Sequence, residues 1–328
     1  MVSKQKKVAS IILNYNKSGE TVNLYRQLEK QTYLCHEIRV VDNCSDAAEQ
    51  EKLRTYLPED KIIRSEINGG FSYGMNLGIK KCLAGYQFDY VWVLNNDIEI
   101  RDRDALSKMI ELFEADQKVG VLSPLILDPE TNQINFCGGY LDKNGWSHRT
   151  NDPDEYASWQ ETFPDRIWLA GTALLIKREV FDLIGFFEEK YFMYWEDNDF
   201  CFRANEAGFV CRIALDAEIY HGDLPWEGRP SYYHYYMARN EILFMRDLIH
   251  APYKTILWAI ENRMHNNIRV LSQHGRQESV DATYRGIWDG LLGKTGKAED
   301  FSAPPRGVKT LGRLLSWYGS RQRARGRE

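Results

Sequence analysis

The chain has 328 residues, and its 47 acidic side chains outnumber its 42 basic ones, which leaves a net charge of -5. A single core rarely exceeds roughly 250–300 residues, so this length predicts one main domain with an extension. The acidic balance excludes a generally basic protein that coats nucleic acid, and we expect no nucleic-acid partner. The end of the chain differs, because the residues from Arg306 onward are mostly basic or uncharged.

The six cysteines show no CxxC spacing, which predicts reduced, packed thiols in a cytosolic protein rather than disulfides or a zinc site. A short apolar run follows the N-terminal lysines, but it leads directly into Asn14 and therefore predicts a first strand, not a signal peptide. No run is long enough to span a bilayer. We expect a cytoplasmic protein, soluble or peripheral at the inner face of the cytoplasmic membrane.

Strands and helices alternate over residues 1–123 at the spacing of βαβ units, which indicates a parallel-sheet, nucleotide-binding half-domain. The predicted strands are Val8–Asn14, Glu37–Asp42, Lys61–Ser65, Tyr90–Asn95 and Gly120–Leu122. The predicted helices are Glu20–Gln31, Ala47–Tyr56, Phe71–Ala84 and Asp104–Asp116.

The second half of the main domain, residues 124–230, changes character. Turn residues between 124 and 164 predict a mixed antiparallel region with a loop that faces substrate. Further on we predict a strand over Ile167–Ile176 and a short helix over Arg178–Ile184. Another predicted helix, Asp197–Ala207, ends at Gly208 in a left-handed conformation.

The part of the chain after residue 230 is predicted to be mainly helical. Apolar residues at helical spacing predict the helices Tyr232–His250, Tyr253–His274 and Ser279–Leu292 in a region over 231–297. Residues 298–328 are predicted to form a linker, a basic amphipathic helix over Gly307–Gly319 and a tail. This end indicates contact with an anionic membrane leaflet, a solubilising tail or an oligomer contact, so a homo-oligomer stays open.

The strand Tyr90–Asn95 ends abruptly in the triplet Asn95-Asn96-Asp97. Open α/β sheets bind ligands just beyond the carboxyl ends of their strands, so the triplet predicts a site. Asp97 is the candidate metal ligand, because Mg²⁺ and Mn²⁺ usually take one or two carboxylates and complete their shell with water and phosphate oxygens. His221 is a candidate second ligand that would favour manganese, with a purely structural histidine as the alternative.

Other polar residues fall at the ends of neighbouring predicted strands and should share the same rim. Asn14 follows the first strand, and Asp42 and Asn43 follow the second. A carboxylate and an amide suit the reading of a base or ribose edge. The alternative for Asp42 is a helix cap, although Ser45 or Asp46 would be the more obvious cap.

A glycine-rich stretch from Asn68 to Gly78 leads into a predicted helix, so its backbone amides could approach a nucleotide. It is not a Walker loop, since no Gly-Lys-Ser/Thr follows, and it does not follow the first strand. Close helix packing explains Gly74 and Gly78 equally well.

A second acidic cluster, Glu196-Asp197-Asn198-Asp199, opens a predicted helix. Acids suit a helix N-terminus, but three in four positions exceed what a cap needs. The aromatic residues that precede the cluster would partly exclude water from it, and a carboxylate in such surroundings suits a general base. Arg203 is expected to form an ion pair within the cluster.

Aromatic residues form two stretches, one directly before the acidic cluster and one further along the chain, before Arg239. Tyr194 and Trp195 offer flat faces on which sugar rings pack, or they form a core under the helix. Arg239, within a second aromatic stretch, could bind a diphosphate bidentately, or it simply belongs to an amphipathic helix.

Taken in order, these motifs resemble family 2 inverting glycosyltransferases of the GT-A fold, in the branch with bacterial rhamnosyltransferases and galactofuranosyltransferases. The resemblance covers Val8 to about Met245. It rests on Ile11-Ile12-Leu13-Asn14-Tyr15-Asn16, Val40-Val41-Asp42-Asn43-Cys44-Ser45, Asn68-Gly69-Gly70-Phe71, Gly74-Met75-Asn76-Leu77-Gly78, Leu94-Asn95-Asn96-Asp97, Gly171-Thr172-Ala173-Leu174-Leu175-Ile176, Glu196-Asp197-Asn198-Asp199-Phe200 with Arg203, and His221.

The resemblance implies a Rossmann-like α/β fold, with a mixed, mainly parallel sheet flanked by helices and a C-terminal helical extension. It assigns donor binding to Asn14, Asp42, Asn43, Asn68, Gly70, Phe71, Asn76, Asn95, Asn96 and Asp97, with Asp42 reading the pyrimidine. It assigns acceptor binding to Gly171, Tyr194 and Trp195. Metal binding would rest on Asp97 and His221, with Mn²⁺ or Mg²⁺ as cofactor.

The same resemblance makes Asp197 the catalytic base that deprotonates the acceptor hydroxyl, with Glu196 as the rival. We expect an inverting transferase that moves L-rhamnose from dTDP-rhamnose to a glycan or polyprenyl-diphosphate-linked acceptor in surface polysaccharide synthesis. The alternative donor is UDP-galactofuranose or another UDP-hexose. The alternatives from other classes are a sugar-1-phosphate nucleotidyltransferase and a non-catalytic carbohydrate-binding subunit.

Overall fold

A computed structural model of the chain describes residues 5–84, 88–222, 224–302, 304, 305 and 307. The chain divides into two compact units. The first consists of Met1–Asp142, Trp146–Phe192 and Glu196–Asp223, and the second of Lys143–Gly145, Met193–Trp195 and Leu224–Glu328. Apart from Gly307, the predicted basic helix and tail lie outside the described residues.

The elements of the first unit follow the predicted alternation. Its strands are β1 (Val8–Asn14), β2 (His36–Asp42), β3 (Ile62–Arg64), β4 (Tyr90–Asn95), β5 (Ile98–Glu99), β6 (Val119–Leu127), β7 (Ile134–Phe136), β8 (Gly139–Leu141), β9 (Ser147–Arg149), β10 (Ile167–Trp168), β11 (Ala173–Lys177) and β12 (Val210–His221). Its helices are α1 (Ser18–Leu28), α2 (Ala47–Tyr56), α3 (Gly70–Leu83), α4 (Ala105–Ala115), α5 (Pro153–Thr162), α6 (Arg178–Ile184) and α7 (Glu196–Glu206).

The larger sheet has nine strands within the described residues, in the order β3-β2-β1-β4-β11-β6-β12-β5, with β7 beside β6. The strands β1 to β4 are parallel to one another, and β12 is parallel to β6. β11 runs antiparallel between β4 and β6, which makes the sheet mixed. β1, β4 and β6 are almost entirely buried, as expected for strands covered on both faces.

The helix α3 lies close to the sheet because two glycines face it. A Cβ at Gly78 would fall 2.7 Å from Val41 Cγ2, and one at Gly74 would fall 2.5 Å from Leu13 Cδ1. Both distances are far below a van der Waals contact. The packing interpretation is therefore correct for these two glycines.

Two predictions for the second half of this unit were wrong. The single strand predicted over Ile167–Ile176 is two strands, since β10 pairs with β8 in a small sheet of order β10-β8-β9 and β11 belongs to the larger sheet. Asp152 and Pro153, which are among the turn residues noted between 124 and 164, instead begin α5. The Asp152 side chain accepts a hydrogen bond from the Asp154 amide, and Pro153 occupies the first helical turn, where it is tolerated.

The second unit is helical. Its helices are α8 (Ser231–Asp247), α9 (Tyr253–Ala259), a π-helical segment (Ile260–Met264), α10 (His265–Gln273) and α11 (Gln277–Leu291). α11 packs closely against α8, because a Cβ at Gly286 would fall 2.3 Å from the Tyr235 carbonyl oxygen. Over the ranges described, no helix combines the length and apolar character needed to cross a membrane.

One local prediction, the left-handed residue after α7, is confirmed. Gly208 follows α7 with a φ of 90°, the left-handed conformation expected there. All six cysteines lie within the described ranges and carry free thiols, four of them buried.

Candidate active site

Asp97 and His221 meet where β5 pairs with β12. The register sets His221 opposite Ile98, so the histidine lies beside the residue that precedes this strand. His221 Nε2 is 3.5 Å from Asp97 Oδ1, and the Asp97 side chain is 53% exposed. Partial burial acts to raise the pKa of Asp97, but His221 outweighs it and the pKa lies below its ordinary value. Asp97 is therefore an accessible, ionised carboxylate.

This pair fits a divalent metal. Over the described ranges, no group of three or more His, Cys, Asp or Glu is arranged to hold a metal without other ligands. A carboxylate and an imidazole are ordinary ligands of Mn²⁺, and the remaining positions of such sites are commonly filled by water and phosphate oxygens. The donor set therefore suits a metal that is shared with a diphosphate.

The two amides before Asp97 hold the chain in place. Asn96 Nδ2 donates to Thr21 Oγ1 at 3.1 Å and to the Lys17 carbonyl at 3.4 Å. The backbone amide of Asn95 donates to the Thr172 carbonyl at 2.9 Å. Asp97 is therefore the charged member of a triplet whose backbone and amide are anchored to α1 and to the residue before β11.

Asp42 ends β2 in a buried polar pocket. Asn14 Nδ2 donates to Asp42 Oδ1 at 3.1 Å and to Ser45 Oγ at 3.0 Å, while Asn14 Oδ1 accepts from Thr21 Oγ1. Asn14 thus positions Asp42. Asp42 Oδ2 is buried and accepts no hydrogen bond from any described residue, although the Arg64 guanidinium is 3.8 Å away.

An orphaned buried carboxylate oxygen indicates a missing donor. The cap interpretation does not account for it, because Asp46 is the residue that caps α2: its Oδ1 accepts from the Glu49 amide at 3.0 Å.

The glycine-rich stretch is held by Asn43. Asn43 Nδ2 donates to Asn68 Oδ1 at 3.2 Å and to the Gly70 carbonyl at 3.0 Å, and the Gly70 amide donates to Asn68 Oδ1 at 3.1 Å. Gly70 has a φ of 88°, and a Cβ there would fall 2.1 Å from the Phe192 carbonyl oxygen. Phe71, half-buried, packs edge-on against Phe187 at 6.0 Å. These residues shape the start of α3 beside the pocket of Asp42.

Both ends of the Asn76 side-chain amide form hydrogen bonds with residues 187–189. Its Nδ2 donates to the Phe187 carbonyl at 2.8 Å and to Glu189 Oε1 at 2.9 Å, and its Oδ1 accepts from the Phe187 amide at 3.1 Å. The side chain is 2% exposed. The structure thus gives Asn76 a supporting role for residues 187–189, in place of the nucleoside contact expected from the sequence.

Asp197 lies at the start of α7. Its Oδ2 accepts from the Gly171 amide at 2.9 Å and its Oδ1 from the Asn198 amide at 2.8 Å. Burial raises the pKa of Asp197, against these backbone hydrogen bonds. A Cβ at Gly171 would fall 3.3 Å from Asp197 Cβ, so the glycine allows this close approach.

Glu196 differs from its neighbour in exposure. It is buried, and its Oε2 accepts no hydrogen bond from the described residues. Burial first, and then the charge of Asp197, raises the pKa of Glu196 well above its ordinary value. Asp197 is half-buried, so it is the more exposed of the two residues.

Asp199 and Arg203 form the ion pair expected within the cluster. Arg203 Nε donates to Asp199 Oδ1 at 2.6 Å, and Asp199 Oδ2 accepts from the Tyr191 hydroxyl at 3.0 Å. The Arg203 guanidinium also donates to the carbonyls of Ile184 and Phe186. This pair fixes the segment that leads from α6 to α7.

Three residues of the predicted site lie in the second unit. Trp195 is buried and packs against Phe244 at 5.1 Å, and Tyr194 packs edge-on against Tyr233 at 5.0 Å. Arg239 is 1% exposed.

The guanidinium of Arg239 donates to the Gly296 carbonyl at 2.7 Å and to Asn240 Oδ1 at 2.8 Å. Burial among these partners argues against Arg239 as a diphosphate ligand and against the Trp195 ring as a sugar platform. We leave both out of the proposed site.

The curled, mainly parallel α/β sheet with polar residues along its carboxyl edge has the GT-A glycosyltransferase architecture, and solved structures share it. A mannosyltransferase from Pyrobaculum calidifontis in complex with GDP-Man and Mn²⁺ superposes with a TM-score of 0.56 at 16% identity, covering 96% of this chain and 85% of that one. The S. aureus protein TarS, residues 1–349, gives 0.53 at 17% identity, covering 94% and 88%.

Residues 10–185, more than half of the chain, match the sequence profile of glycosyl transferase family 2, and the chain belongs to that family.

The proteins that this chain resembles in sequence are described as hexosyl- or rhamnosyltransferases. A low-salt glycan biosynthesis hexosyltransferase of Haloferax volcanii is 27% identical over 310 residues, covering 88% of this chain and 92% of that protein. A dTDP-rhamnosyl transferase of Shigella flexneri is 22% identical over 303 residues, covering 88% and 97%. An N-acetylglucosaminyl-diphospho-decaprenol L-rhamnosyltransferase of Mycobacterium tuberculosis is 25% identical over 215 residues, covering 58% and 68%.

Proposed function

We propose that this family 2 glycosyltransferase is an inverting, metal-dependent enzyme that transfers L-rhamnose from dTDP-rhamnose to a hydroxyl of a glycan or lipid-linked glycan in surface polysaccharide synthesis. The observation that carries the reaction type is the half-buried Asp197 carboxyl, which two backbone amides hold and whose pKa burial raises. A general base needs this combination of fixed position and raised proton affinity.

The proposed reaction is a single displacement. Asp197 accepts the proton of the acceptor hydroxyl, the hydroxyl oxygen bonds to the anomeric carbon, and the bond from that carbon to the diphosphate breaks. One displacement with one base inverts the anomeric centre. Asp97 and His221 would hold the divalent metal, which when bound offsets the negative charge on the departing diphosphate.

The choice of donor rests on Asp42 and on the relatives. The unpaired Oδ2 of Asp42 suits the imino N–H of a pyrimidine, which would supply the missing donor. Two of the relatives above are named as rhamnosyltransferases, and one of those names includes a dTDP donor.

The acceptor and its location are further parts of the proposal. One relative's name includes an acceptor linked to decaprenol diphosphate, which supports a lipid-linked acceptor and peripheral action at the inner membrane face. The family match favours glycosyl transfer over nucleotidyl transfer or a non-catalytic binding subunit.

The second candidate donor is UDP-galactofuranose or another UDP-hexose. Uracil offers Asp42 the same imino N–H as thymine, and another relative is named only as a hexosyltransferase.

A two-stage experiment tests the proposal and separates the donors. Thermal shifts with UDP, dTDP, GDP and CDP, each with and without Mn²⁺, show which nucleotide binds, because a ligand stabilises the folded state by mass action. Transfer from dTDP-rhamnose and UDP-galactofuranose to a lipid-linked acceptor then shows which sugar moves. Stabilisation by dTDP with rhamnosyl transfer supports the proposal, whereas preference for the UDP sugar replaces the donor. Retention of the anomeric configuration, in either the transfer product or a hydrolysis product, would overturn the mechanism.

A further inference from the structure

Three of the four residues that precede the acidic cluster have an unusual backbone conformation. Phe192, Tyr194 and Trp195 have φ values of 67°, 65° and 74°. Left-handed conformations are uncommon for bulky non-glycine residues, and because they are strained they persist only where the surroundings hold them. We call Phe192–Trp195 the strained segment, and Glu196 and Asp197 follow it directly in the chain.

The first residue of the strained segment is held by the start of α3. The Phe71 amide donates to the Phe192 carbonyl at 2.7 Å. The absence of a side chain at Gly70 makes room for that carbonyl, since a Cβ there would fall 2.1 Å from the Phe192 oxygen. This hydrogen bond lies within the first unit and fixes the beginning of the segment.

The middle of the strained segment is held by Asn240 within the second unit. Asn240 Nδ2 donates to the Met193 carbonyl at 2.8 Å and to the Tyr194 carbonyl at 2.9 Å. The Asn240 side chain is fully buried, so both of its N–H donors are used for these two carbonyls.

Arg239 sets the orientation of this amide. Arg239 Nε donates to Asn240 Oδ1 at 2.8 Å, so the acceptor end of the amide faces Arg239 and its donor end faces the strained segment. Arg239 Nη1 in turn donates to the Gly296 carbonyl at 2.7 Å. A buried amide that is fixed at both ends supplies the restraint that the unusual backbone needs.

We propose that Asn240, oriented by Arg239, is a positioning residue for Asp197. It holds the backbone of Met193 and Tyr194 in a conformation that sets the direction in which the chain enters α7, and thereby the place of the carboxyl two residues beyond Trp195. This inference rests on the proposed role of Asp197 as the base. A misplacement of about 1 Å at a reacting group lowers the rate roughly a hundredfold.

Asn240→Asp is the primary test. The substitution keeps the size of the side chain and its contact with Arg239, but it removes both donors and turns a carboxylate oxygen toward two carbonyl oxygens. We expect kcat to fall about a hundredfold while the dissociation constants of the nucleotide and of Mn²⁺ stay within twofold of the parent values. A kcat within threefold of the parent would overturn the proposal.

A matched control is Asn205→Asp on α7. Asn205 is also buried, and its Nδ2 donates to the Ile167 carbonyl at 2.8 Å, but it lies away from the strained segment in sequence. We expect it to lower the melting temperature with kcat close to the parent value. An equal loss of kcat in both variants would reduce Asn240 to a general stabilising residue and would overturn the proposal.

A second route remains if Asn240→Asp does not fold. Glycine adopts positive φ without strain, so Tyr194→Gly should recover kcat at least tenfold when added to Asn240→Ala, relative to Asn240→Ala alone. Tyr194→Gly by itself gives the reference for the loss of the tyrosine ring. Absence of recovery would contradict the strain argument. If the parent chain transfers no sugar from any donor, the proposed function fails, which is a different result from a parent that is active and an Asn240 variant that is equally active.

Discussion

His221 Nε2 lies 3.5 Å from Asp97 Oδ1, at the end of the ladder that pairs β12 with β5. The two side chains come from distant parts of the sequence and supply one imidazole and one carboxylate. Such a pair holds a divalent metal only together with oxygen ligands from water or substrate.

The first prediction concerns this pair. Asp97→Asn and His221→Gln should each weaken Mn²⁺-dependent binding of dTDP or UDP at least tenfold, because each removes one proposed metal ligand, while binding of the nucleotide without metal changes little. Isothermal titration with and without Mn²⁺ measures both quantities. In a double-mutant cycle the two losses should be strongly non-additive, since either change disables the same site. Additive losses would contradict a shared metal.

The second prediction separates the two candidate bases. Asp197→Asn should lower transfer about a thousandfold or more and leave donor binding intact, since it removes the proton acceptor while preserving size. Glu196→Gln should retain most of the transfer activity, because Glu196 is buried and an acceptor cannot reach it. Single-turnover transfer assays with saturating donor measure both. If Asp197→Asn transfers at a near-normal rate and Glu196→Gln does not, the base is Glu196.

The third prediction is the pH dependence of transfer. The proposed base Asp197 must be deprotonated to accept a proton, and burial raises its pKa. Activity should therefore be lost as the pH falls through this raised pKa, with the acidic limb of kcat above the ordinary aspartate value of about 3.9. A carboxyl whose pKa is higher in the folded state binds protons more readily there, so its own contribution to stability increases as the pH falls. A kcat profile that is flat down to pH 4 would contradict the assignment.

The fourth prediction concerns Asp42. Asp42→Asn should weaken binding of UDP and dTDP about ten- to a hundredfold, because one hydrogen bond from the base to a charged acceptor contributes roughly 1.5–3 kcal/mol. Binding of CDP should be unaffected, because cytosine has no imino N–H. Asp46→Asn serves as the control, since asparagine caps α2 as well as aspartate does and Asp46 is exposed. Equal losses for all four nucleotides would indicate a general change of the pocket.

The fifth prediction is about stability. Asp199→Ala should lower the free energy of unfolding by about 3–5 kcal/mol, because it leaves the Arg203 guanidinium largely buried without its carboxylate. Arg203→Met combined with Asp199→Leu should be much less destabilising than Asp199→Ala, since no unpaired charge remains. Urea denaturation of the three proteins measures the differences. A loss below 1 kcal/mol for Asp199→Ala would show that the ion pair is not structural.

The sequence predicts the elements well where local pattern and burial agree. β1 and β4 have the predicted ends, Val8–Asn14 and Tyr90–Asn95, because each is an apolar run that stops at a polar residue. The strand predicted over Ile167–Ile176 fails for a tertiary reason. Its apolar pattern is continuous, but the chain passes from the smaller sheet to the larger one between Trp168 and Ala173, where the Gly171 amide donates to Asp197.

For the site, the sequence predicts which polar residues lie at strand ends, but not the direction of their side chains. Asp42 and Asp97 can be predicted because Asp42 is the last residue of β2 and Asp97 lies two residues beyond the end of β4. Asn76 and Arg239 belong to equally suggestive motifs, yet the amide bonds to the 187–189 segment and the guanidinium is buried. The role of Asn240 has no sequence signal of its own, because it depends on positive φ values elsewhere in the chain.

The connection between β4 and β5 also has a consequence for folding. β5 begins three residues after β4 ends, a reach of at most about 10–11 Å, yet it lies four strand positions from β4 in the sheet, about 19 Å away if the sheet were flat. The sheet must therefore curl back on itself, and β5 finds its partner only after β11, β6 and β12 are in place. Pairings this distant in sequence are slow to form. A nascent chain that ends between residues 185 and 221 contains all of residues 10–185 but lacks the second of the two proposed metal ligands.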